Sequence, residues 1–274
     1  MIATFLFLFG LVIGSFLNVC IHRLPRHESI VTPRSRCPHC HHPIAAYDNI
    51  PMLSYLVLVG RCRYCRKSIS PLYFFVELAT GLLFLGLYSF FGLTPLFVKY
   101  ATFGVLLLVL TVTDWRERLL PDLITFPGMA SGVLFSLLVP IGDGSAGWLI
   151  RLARLGLPPL WLESFLDALL GAMIGAGMLY LIRALWFRLR GIEAMGFGDV
   201  KMMAMVGLFL GPKLALLTIL LGSLSGSVLG LLFLLAFRKS STYELPFGSF
   251  LGVAAFVSAM WGRQILYWYL GYFG

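Results

Sequence analysis

Two aspartates stand at the ends of long apolar runs, where a carboxylate is costly to keep. Asp114 closes one run in Thr113-Asp114-Trp115, and Asp199 opens another in Gly196-Phe197-Gly198-Asp199-Val200-Lys201. An ionisable group at the end of a membrane helix requires water, a partner or a function. Two carboxylates that meet in the folded chain can hydrolyse a peptide bond, because one activates water and the other protonates the carbonyl oxygen. The pair raises the hypothesis of an aspartic protease whose two carboxyls share one proton.

The glycines before Asp199 fit an active site but do not establish one. Gly196 and Gly198 let the backbone approach a neighbour or a substrate strand, because neither has a side chain. The alternative is that Asp199 only supplies negative charge to the first turn of a helix, where the helix dipole favours it. Gly-x-Gly-Asp is a short motif of low specificity when taken alone.

Four cysteines form a second group with metal-ligand spacing. Cys37-Pro38-His39-Cys40 and Cys62-Arg63-Tyr64-Cys65 resemble the two knuckles of a zinc ribbon, in which four thiolates hold a tetrahedral ion. The segment 22–70 is too short to build its own core, and a reducing cytoplasm disfavours disulfides. We therefore expect a structural zinc held by Cys37, Cys40, Cys62 and Cys65. Redox-active dithiols are the alternative, and His39, His41 and His42 are possible substitute ligands.

The composition indicates the kind of scaffold that must position these groups. The chain has 274 residues, of which 59% are hydrophobic and 12% charged, and its mean hydropathy is +0.90. These values are typical of a polytopic membrane protein. The N-terminus is apolar up to Cys20 and lacks a signal-peptide pattern, so we expect a retained first span. The net charge of +9 is unevenly distributed, which sets topology and does not indicate a nucleic-acid partner.

The apolar runs predict an all-α fold with about eight transmembrane helices. Eight of the 21 basic residues lie within 22–70, which places this segment in the cytoplasm by the positive-inside rule. Alternating spans then put both aspartates at the cytoplasmic side. The predicted domains are a first transmembrane helix over 1–21, a cytoplasmic tetracysteine domain over 22–70 and a helical membrane core over 71–274. The predicted spans are 2–21, 72–91, 96–114, 122–141, 165–187, 200–210, 213–237 and 247–271. The segment 142–164 is expected to lie outside, at the interface.

Other charged residues have simpler interpretations. Asp122 follows a proline and precedes an apolar run, so we expect it to cap a helix. Ser164-x-x-Asp167 resembles a capping box. Glu77 lies within a predicted span, where we expect a structural role. Lys201 is expected either to orient a carboxylate or to contact phospholipid.

Taken together, the motifs resemble the type IV prepilin peptidase family of GxGD membrane aspartic proteases. The resemblance covers almost the whole chain, and the order and spacing of the motifs make it specific. Its segments are Gly14 to Pro25, Ser35 to Cys40, Asp48 to Pro51, Gly60 to Cys65, Asp114 to Asp122 and Gly196 to Lys201.

This resemblance implies that the protein cleaves a short basic leader from type IV prepilins or pseudopilins at the cytoplasmic face of the bacterial inner membrane. Asp114 and Asp199 match the catalytic pair of the family. The tetracysteine segment is similar to the bifunctional branch, which also methylates the new N-terminal residue with S-adenosylmethionine. No glycine-rich fingerprint marks a methyl-donor site in this chain. The implied partners are prepilin substrates and membrane lipid, and the segment between the two aspartates is longer than the family pattern.

Two other classes of protein remain as alternatives. A proton- or ion-coupled transporter would use the two aspartates to bind cations, but such sites usually lie near the midplane between inverted repeats. No repeat is evident here, and both aspartates are at span ends. A membrane scaffold with a zinc docking domain would explain the cysteines and leave Asp114 and Asp199 without a role.

Overall fold

The computed structural model describes residues 1–154, 156, 158–191, 195–237 and 245–271. These residues form α-helices, two short 3-10 helices and no strands apart from two isolated antiparallel bridges, so the predicted all-α fold is confirmed. The ten α-helices of this part of the chain are α1 Ile2–Arg23, α2 Leu53–Val57, α3 Leu72–Phe91, α4 Pro95–Glu117, α5 Asp122–Leu138, α6 Ser145–Leu152, α7 Leu160–Arg190, α8 Phe197–Leu210, α9 Pro212–Phe237 and α10 Phe247–Gly271.

Every predicted span coincides with a helix, although the ends differ by a few residues. Six helices in the described ranges are long and apolar enough to cross a membrane, namely α1, α3, α4, α7, α9 and α10. The other two, α5 and α8, have 17 and 14 residues. A 14-residue helix rises about 21 Å, less than the roughly 30 Å of a bilayer's hydrocarbon core, so the crossing by α8 remains a prediction. The six long apolar helices make the protein a multi-pass membrane protein.

The chain divides into two compact units, residues 1–109 and 110–274. In the first unit α1 packs directly against α3 through small residues on α1. A Cβ on Gly10 would lie 2.8 Å from the Thr80 carbonyl oxygen, and one on Gly14 would lie 2.7 Å from Glu77 Cα. Glycines four residues apart let membrane helices approach this closely. The first helix therefore packs closely on α3 within this unit.

Glu77 ties the membrane helix α3 to the tetracysteine segment within this first unit. Its Oε2 accepts a 2.7 Å hydrogen bond from the Met52 backbone amide, and its side chain is buried. Met52 has a positive φ of 57°, and it precedes α2. The carboxylate thus holds the start of α2 in place.

In the second unit α8 lies at the centre, in contact with α5, α7, α9 and α10. Its residues from Met205 to Leu210 are all buried, which explains why this helix is apolar on every side. The closest approach is to α7, where a Cβ on Gly207 or Gly171 would overlap the facing backbone. The surrounding helices therefore fix the position of α8, and with it the position of Asp199.

Ser164 and Asp167 do not form the capping box that the sequence predicted at the start of their own helix. Helix α7 begins at Leu160, so both residues lie inside it. The carboxylate of Asp167 accepts hydrogen bonds from the amides of Gly144 at 3.0 Å and Ala146 at 2.7 Å, at the start of α6. Asp167 therefore satisfies the N-terminus of a different helix, a contact that sequence spacing does not reveal.

Candidate active site and metal centre

The two aspartates of interest are placed by helix ends in the second unit. Asp114 lies in the last turn of α4, which ends at Glu117, and Asp199 is the third residue of α8. Their relative exposures are 6% and 7%, so both carboxylates are almost fully removed from the surface. Buried carboxylates need partners or a shared proton.

Gly248, the second residue of α10, shows how close the two carboxylates are. A Cβ on Gly248 would lie 2.9 Å from Asp199 Oδ1 and 3.1 Å from Asp114 Oδ2. The two oxygens are therefore no farther apart than the sum of these distances. The structure brings the two residues together from α4 and α8, and the missing side chain of Gly248 leaves room for both.

Ser249 is a residue of this site that sequence reasoning missed. Its backbone amide donates a 2.6 Å hydrogen bond to Asp114 Oδ2, and its hydroxyl lies 2.9 Å from the same oxygen. The hydroxyl also lies 2.9 Å from the Thr111 carbonyl oxygen, one turn earlier on α4. The only sequence signal was the turn at Pro246-Phe247-Gly248 before the last apolar run, which predicts a helix start and no contact.

Asp122 does not cap α5, contrary to the sequence prediction. The N-cap of α5 is Pro121, and Asp122 is the first helical residue. Its carboxylate instead forms an ion pair with Lys201 of α8, two residues after Asp199. The Lys201 ammonium also lies over the rings of Phe126 and Phe197, each at 5.7 Å from the centroid. Lys201 therefore orients a carboxylate, but that carboxylate is Asp122 and neither member of the buried pair.

The two glycines before Asp199 are not equivalent. A Cβ on Gly198 would lie 3.0 Å from Leu120 Cβ, in the connection between α4 and α5. A Cβ on Gly196, the N-cap of α8, would lie 3.9 Å from the Gly198 amide nitrogen and 4.0 Å from Asp199 Oδ2, its nearest neighbours. The expectation of a close backbone approach holds for Gly198 against Leu120, and Gly196 has ordinary contacts.

The four cysteines of the two knuckles converge in the first unit. Their Sγ atoms lie within 4.8 Å of one another, with 3.9 Å between Cys37 and Cys65 and between Cys40 and Cys62. A tetrahedral zinc with Zn–S bonds near 2.3 Å requires S···S separations of about 3.8 Å. The cluster fits a structural zinc site, and four thiolates leave no open position for catalysis. Cys20 is buried in α1, outside this cluster.

The two knuckles share one hydrogen-bond pattern, offset by 25 residues. The Cys37 amide donates to the His42 carbonyl at 3.0 Å, and the Cys62 amide donates to the Lys67 carbonyl at 2.9 Å. Each knuckle closes with a residue of positive φ, namely His41 at 57° and Arg66 at 58°. The backbone therefore presents both pairs of sulfurs in the same way.

An ion pair joins the second knuckle to the turn at 46–49. The Arg63 guanidinium donates to both carboxylate oxygens of Asp48, at 2.8 and 2.6 Å. These hydrogen bonds hold the pKa of Asp48 below its usual range. The His42 ring packs on the Tyr64 ring with a centroid distance of 3.6 Å, so aromatic contact also links the two knuckles.

Comparison with known proteins assigns the chain to a family. Residues 8–91 match the model of the bacterial peptidase A24 N-terminal domain, and residues 101–231 match the model of the type IV leader peptidase family. The chain is 36% identical to the prepilin leader peptidase/N-methyltransferase of Aeromonas salmonicida (strain A449), covering 96% of this chain and 92% of that protein. The chain belongs to the type IV leader peptidase family. The four cysteines lie in the first matched segment of this family member, and both aspartates lie in the second.

Relatives from other bacteria are similar over most of the chain. The prepilin leader peptidase/N-methyltransferase of Myxococcus xanthus (strain DK1622) is 39% identical over 90% of this chain and 69% of that protein. The protein of the same name from Pseudomonas aeruginosa is 34% identical over 97% of this chain and 93% of that protein. No solved structure matches the chain. Both matching family models describe peptidases, and the transporter hypothesis receives no support.

Proposed function

We propose that this family member is a membrane aspartic endopeptidase that removes the short basic leader of type IV prepilins or pseudopilins and then methylates the new N-terminal residue. The observation that carries the proposal is the approach of Asp114 and Asp199 to the same point beside Gly248. Two buried carboxylates at that separation are the equipment of general acid–base hydrolysis. The names of the relatives specify the substrate and the second activity.

In the proposed reaction the ionised carboxylate takes a proton from a water molecule, whose oxygen attacks the scissile carbonyl carbon. The protonated carboxyl gives its proton to the carbonyl oxygen, so a neutral gem-diol forms. The first carboxyl then protonates the leaving amide nitrogen while the second recovers a proton from a diol hydroxyl. The C–N bond breaks, and the pair returns to its starting protonation state.

The proposed location is the bacterial inner membrane, with the aspartates at the cytoplasmic side. The basic residues of the segment 22–70 support this orientation. A basic leader would remain in the cytoplasm, while the apolar stem of the prepilin would lie in the lipid beside the helices. Water then reaches the reacting carbonyl only at the end of the bundle, where the two carboxylates are placed.

The methyl donor that the resemblance implies is S-adenosylmethionine, which supplies an electrophilic methyl group to an amine. A half-open cavity of about 380 Å³ lies in the first unit, and its volume is within the range of small-molecule sites. Its polar lining includes Arg23, Arg34, Ser35 and Asn49, and its apolar lining includes Val19 and Ile44. These residues fit a carboxylate and an uncharged ribose and base, but they offer no carboxylate for the sulfonium cation. We propose this cavity as the donor site, with Arg34 binding the donor's carboxylate.

Arg23 also lines this cavity, but unlike Arg34 its guanidinium is already engaged by the protein. Its guanidinium donates to the carbonyl oxygens of Ser29 and Pro33, each at 2.8 Å, and its side chain is buried at the end of α1. Arg34, in contrast, is exposed at the cavity. The two arginines therefore have different roles, one holding the loop and one facing a ligand.

The proposal is tested by incubating the purified protein with a synthetic prepilin and S-adenosylmethionine, and by reading the mass of the product. Loss of the leader mass together with the gain of one methyl group is the expected result. An unchanged prepilin would overturn the peptidase assignment, and a cleaved but unmethylated product would overturn the second activity alone.

A further inference from the structure

The hydrogen bonds around the carboxylate pair are unequal. Asp114 Oδ2 receives the Ser249 amide at 2.6 Å and faces the Ser249 hydroxyl at 2.9 Å. Within the described residues no comparable donor contacts the carboxylate of Asp199, whose electrostatic neighbour is Asp114. An amide N–H can only donate, so Asp114 Oδ2 must act as an acceptor. Donors to a carboxylate favour its ionised form.

The helix dipoles would suggest the opposite assignment if they acted alone. Asp199 lies in the first turn of α8, which favours a negative charge, and Asp114 lies in the last turn of α4, which disfavours one. The carboxylate of Asp114, however, caps the first turn of α10 through Ser249, so it gains the positive end of that helix. Hydrogen bonds to a charged group outweigh the dipole of a single helix, so Asp114 is favoured as the ionised partner.

The remaining charges near the site do not change the conclusion that Asp114 is the ionised partner. Arg118, in the turn after α4, acts on Asp114 with an attractive charge. Asp122 of α5 and Lys201 of α8 pair with each other. The charged neighbour that acts on Asp199 is Asp114 itself, which favours a protonated Asp199 while Asp114 is ionised.

We propose that Ser249 is a positioning residue that makes Asp114 the ionised general base and leaves Asp199 as the protonated general acid. The inference rests on the proposed peptidase function and adds to it a role for each carboxylate. The Ser249 hydroxyl can serve Asp114 in both of its protonation states. It donates to Oδ2 while Asp114 is ionised, and it turns to the Thr111 carbonyl oxygen, 2.9 Å away, when Asp114 holds the proton.

The Ser249→Ala variant separates the hydroxyl from the backbone amide, which remains. In a coupled pair the acidic limb of the pH–rate profile reports the first proton that the pair loses, and the alkaline limb reports the second. A hydrogen bond that stabilises the carboxylate ionised in the first step therefore acts on the acidic limb alone. Loss of the hydroxyl should therefore move the acidic limb of leader cleavage upward by about one pH unit, with the alkaline limb unchanged. At pH values below the acidic limb, the Ser249→Ala variant should cleave about tenfold more slowly than wild type. On the pH-independent plateau the two rates should differ less than threefold. Ser249→Thr, which keeps the hydroxyl, should restore the limb.

A matched control lies on the same helix. Ser258 is also buried on α10, and its hydroxyl has no hydrogen-bond partner among the described residues, so Ser258→Ala should leave both limbs in place. An acidic limb that does not move in Ser249→Ala would overturn the positioning role, and a plateau loss without a shift would reduce Ser249 to a structural residue. A shift of the alkaline limb instead would exchange the roles of Asp114 and Asp199. A wild-type protein that fails to cleave prepilin would overturn the proposed function itself.

Discussion

The side chain of Leu120, in the α4–α5 connection, packs directly on the backbone of Gly198 in α8, because a Cβ on Gly198 would lie 3.0 Å from Leu120 Cβ. The contact joins the start of the helix that carries Asp199 to the segment that follows Asp114. A Cβ added at Gly198 must therefore displace Leu120, which lies in the connection between α4 and α5.

This contact predicts different effects for the two glycines of the motif. Gly198→Ala should lower the rate of leader cleavage about tenfold, because displacements of a few tenths of an ångström at a reacting site are costly. Gly196→Ala should change the rate less than threefold, because the nearest atoms to its Cβ lie at 3.9 Å or beyond and its φ of −66° suits alanine. Steady-state cleavage of a synthetic prepilin measures both. Equal losses in the two variants would contradict the packing explanation.

The zinc site is a second prediction, and it depends on four residues together. Elemental analysis should find about one zinc per chain, as four thiolates bind one tetrahedral ion. Replacement of Cys37, Cys40, Cys62 or Cys65 by serine should lower the zinc content, whereas Cys20→Ser, in α1, should not. Metal-free protein with four titratable thiols and a folded first unit would count decisively against the site.

The cavity in the first unit predicts a separation of the two activities. Arg34→Ala should lower methyl transfer and the binding of S-adenosylmethionine in equilibrium dialysis at least tenfold, because one charge-assisted hydrogen bond is lost. Leader cleavage should stay within threefold of wild type. Arg36→Ala is the matched control, because Arg36 is also exposed but does not line the cavity. A variant at Arg34 that methylates normally would remove the cavity from the methyltransferase.

Topology supplies a fourth prediction, because the cytoplasmic orientation rests on basic residues alone. A cysteine introduced at Ser145, in a protein that keeps its four-cysteine cluster, should react with an impermeant thiol reagent in intact cells. One introduced at Ser240, which lies outside the described residues, should react only after permeabilisation. Labelling of both from the same side would mean that the short helix α8 does not cross. The unmodified protein gives the background.

The helices were the predictable part of the fold. In lipid, the backbone polar groups of a long apolar run can form hydrogen bonds only within a helix. The positions of the long helices therefore follow from the lengths of the apolar runs. Asp114 and Asp199 could be proposed as partners because each ends such a run. The cysteine pairs could be proposed as one cluster because their spacing is that of two metal knuckles.

The contacts between helices were not predictable in the same way. Ser249 binds Asp114 across 135 residues, and Asp122 pairs with Lys201 across 79, so neither partner is visible in a local pattern. Asp122 and Asp167 each had a local explanation as a cap, but tertiary partners took both carboxylates. Local capping rules fail where a buried or membrane-facing bundle brings another helix within reach.

The central claim is that Asp114 and Asp199 together perform leader cleavage, and single substitutions measure it most directly. Asp114→Asn and Asp199→Asn should each lower the cleavage rate of a synthetic prepilin by about a thousandfold, the size of a general acid–base contribution. Zinc content should be unchanged in both, which shows that the first unit is intact. Asp122→Asn, which breaks only an exposed ion pair with Lys201, should stay within about threefold of wild type. Near-wild-type cleavage by either Asp114→Asn or Asp199→Asn would contradict the assignment.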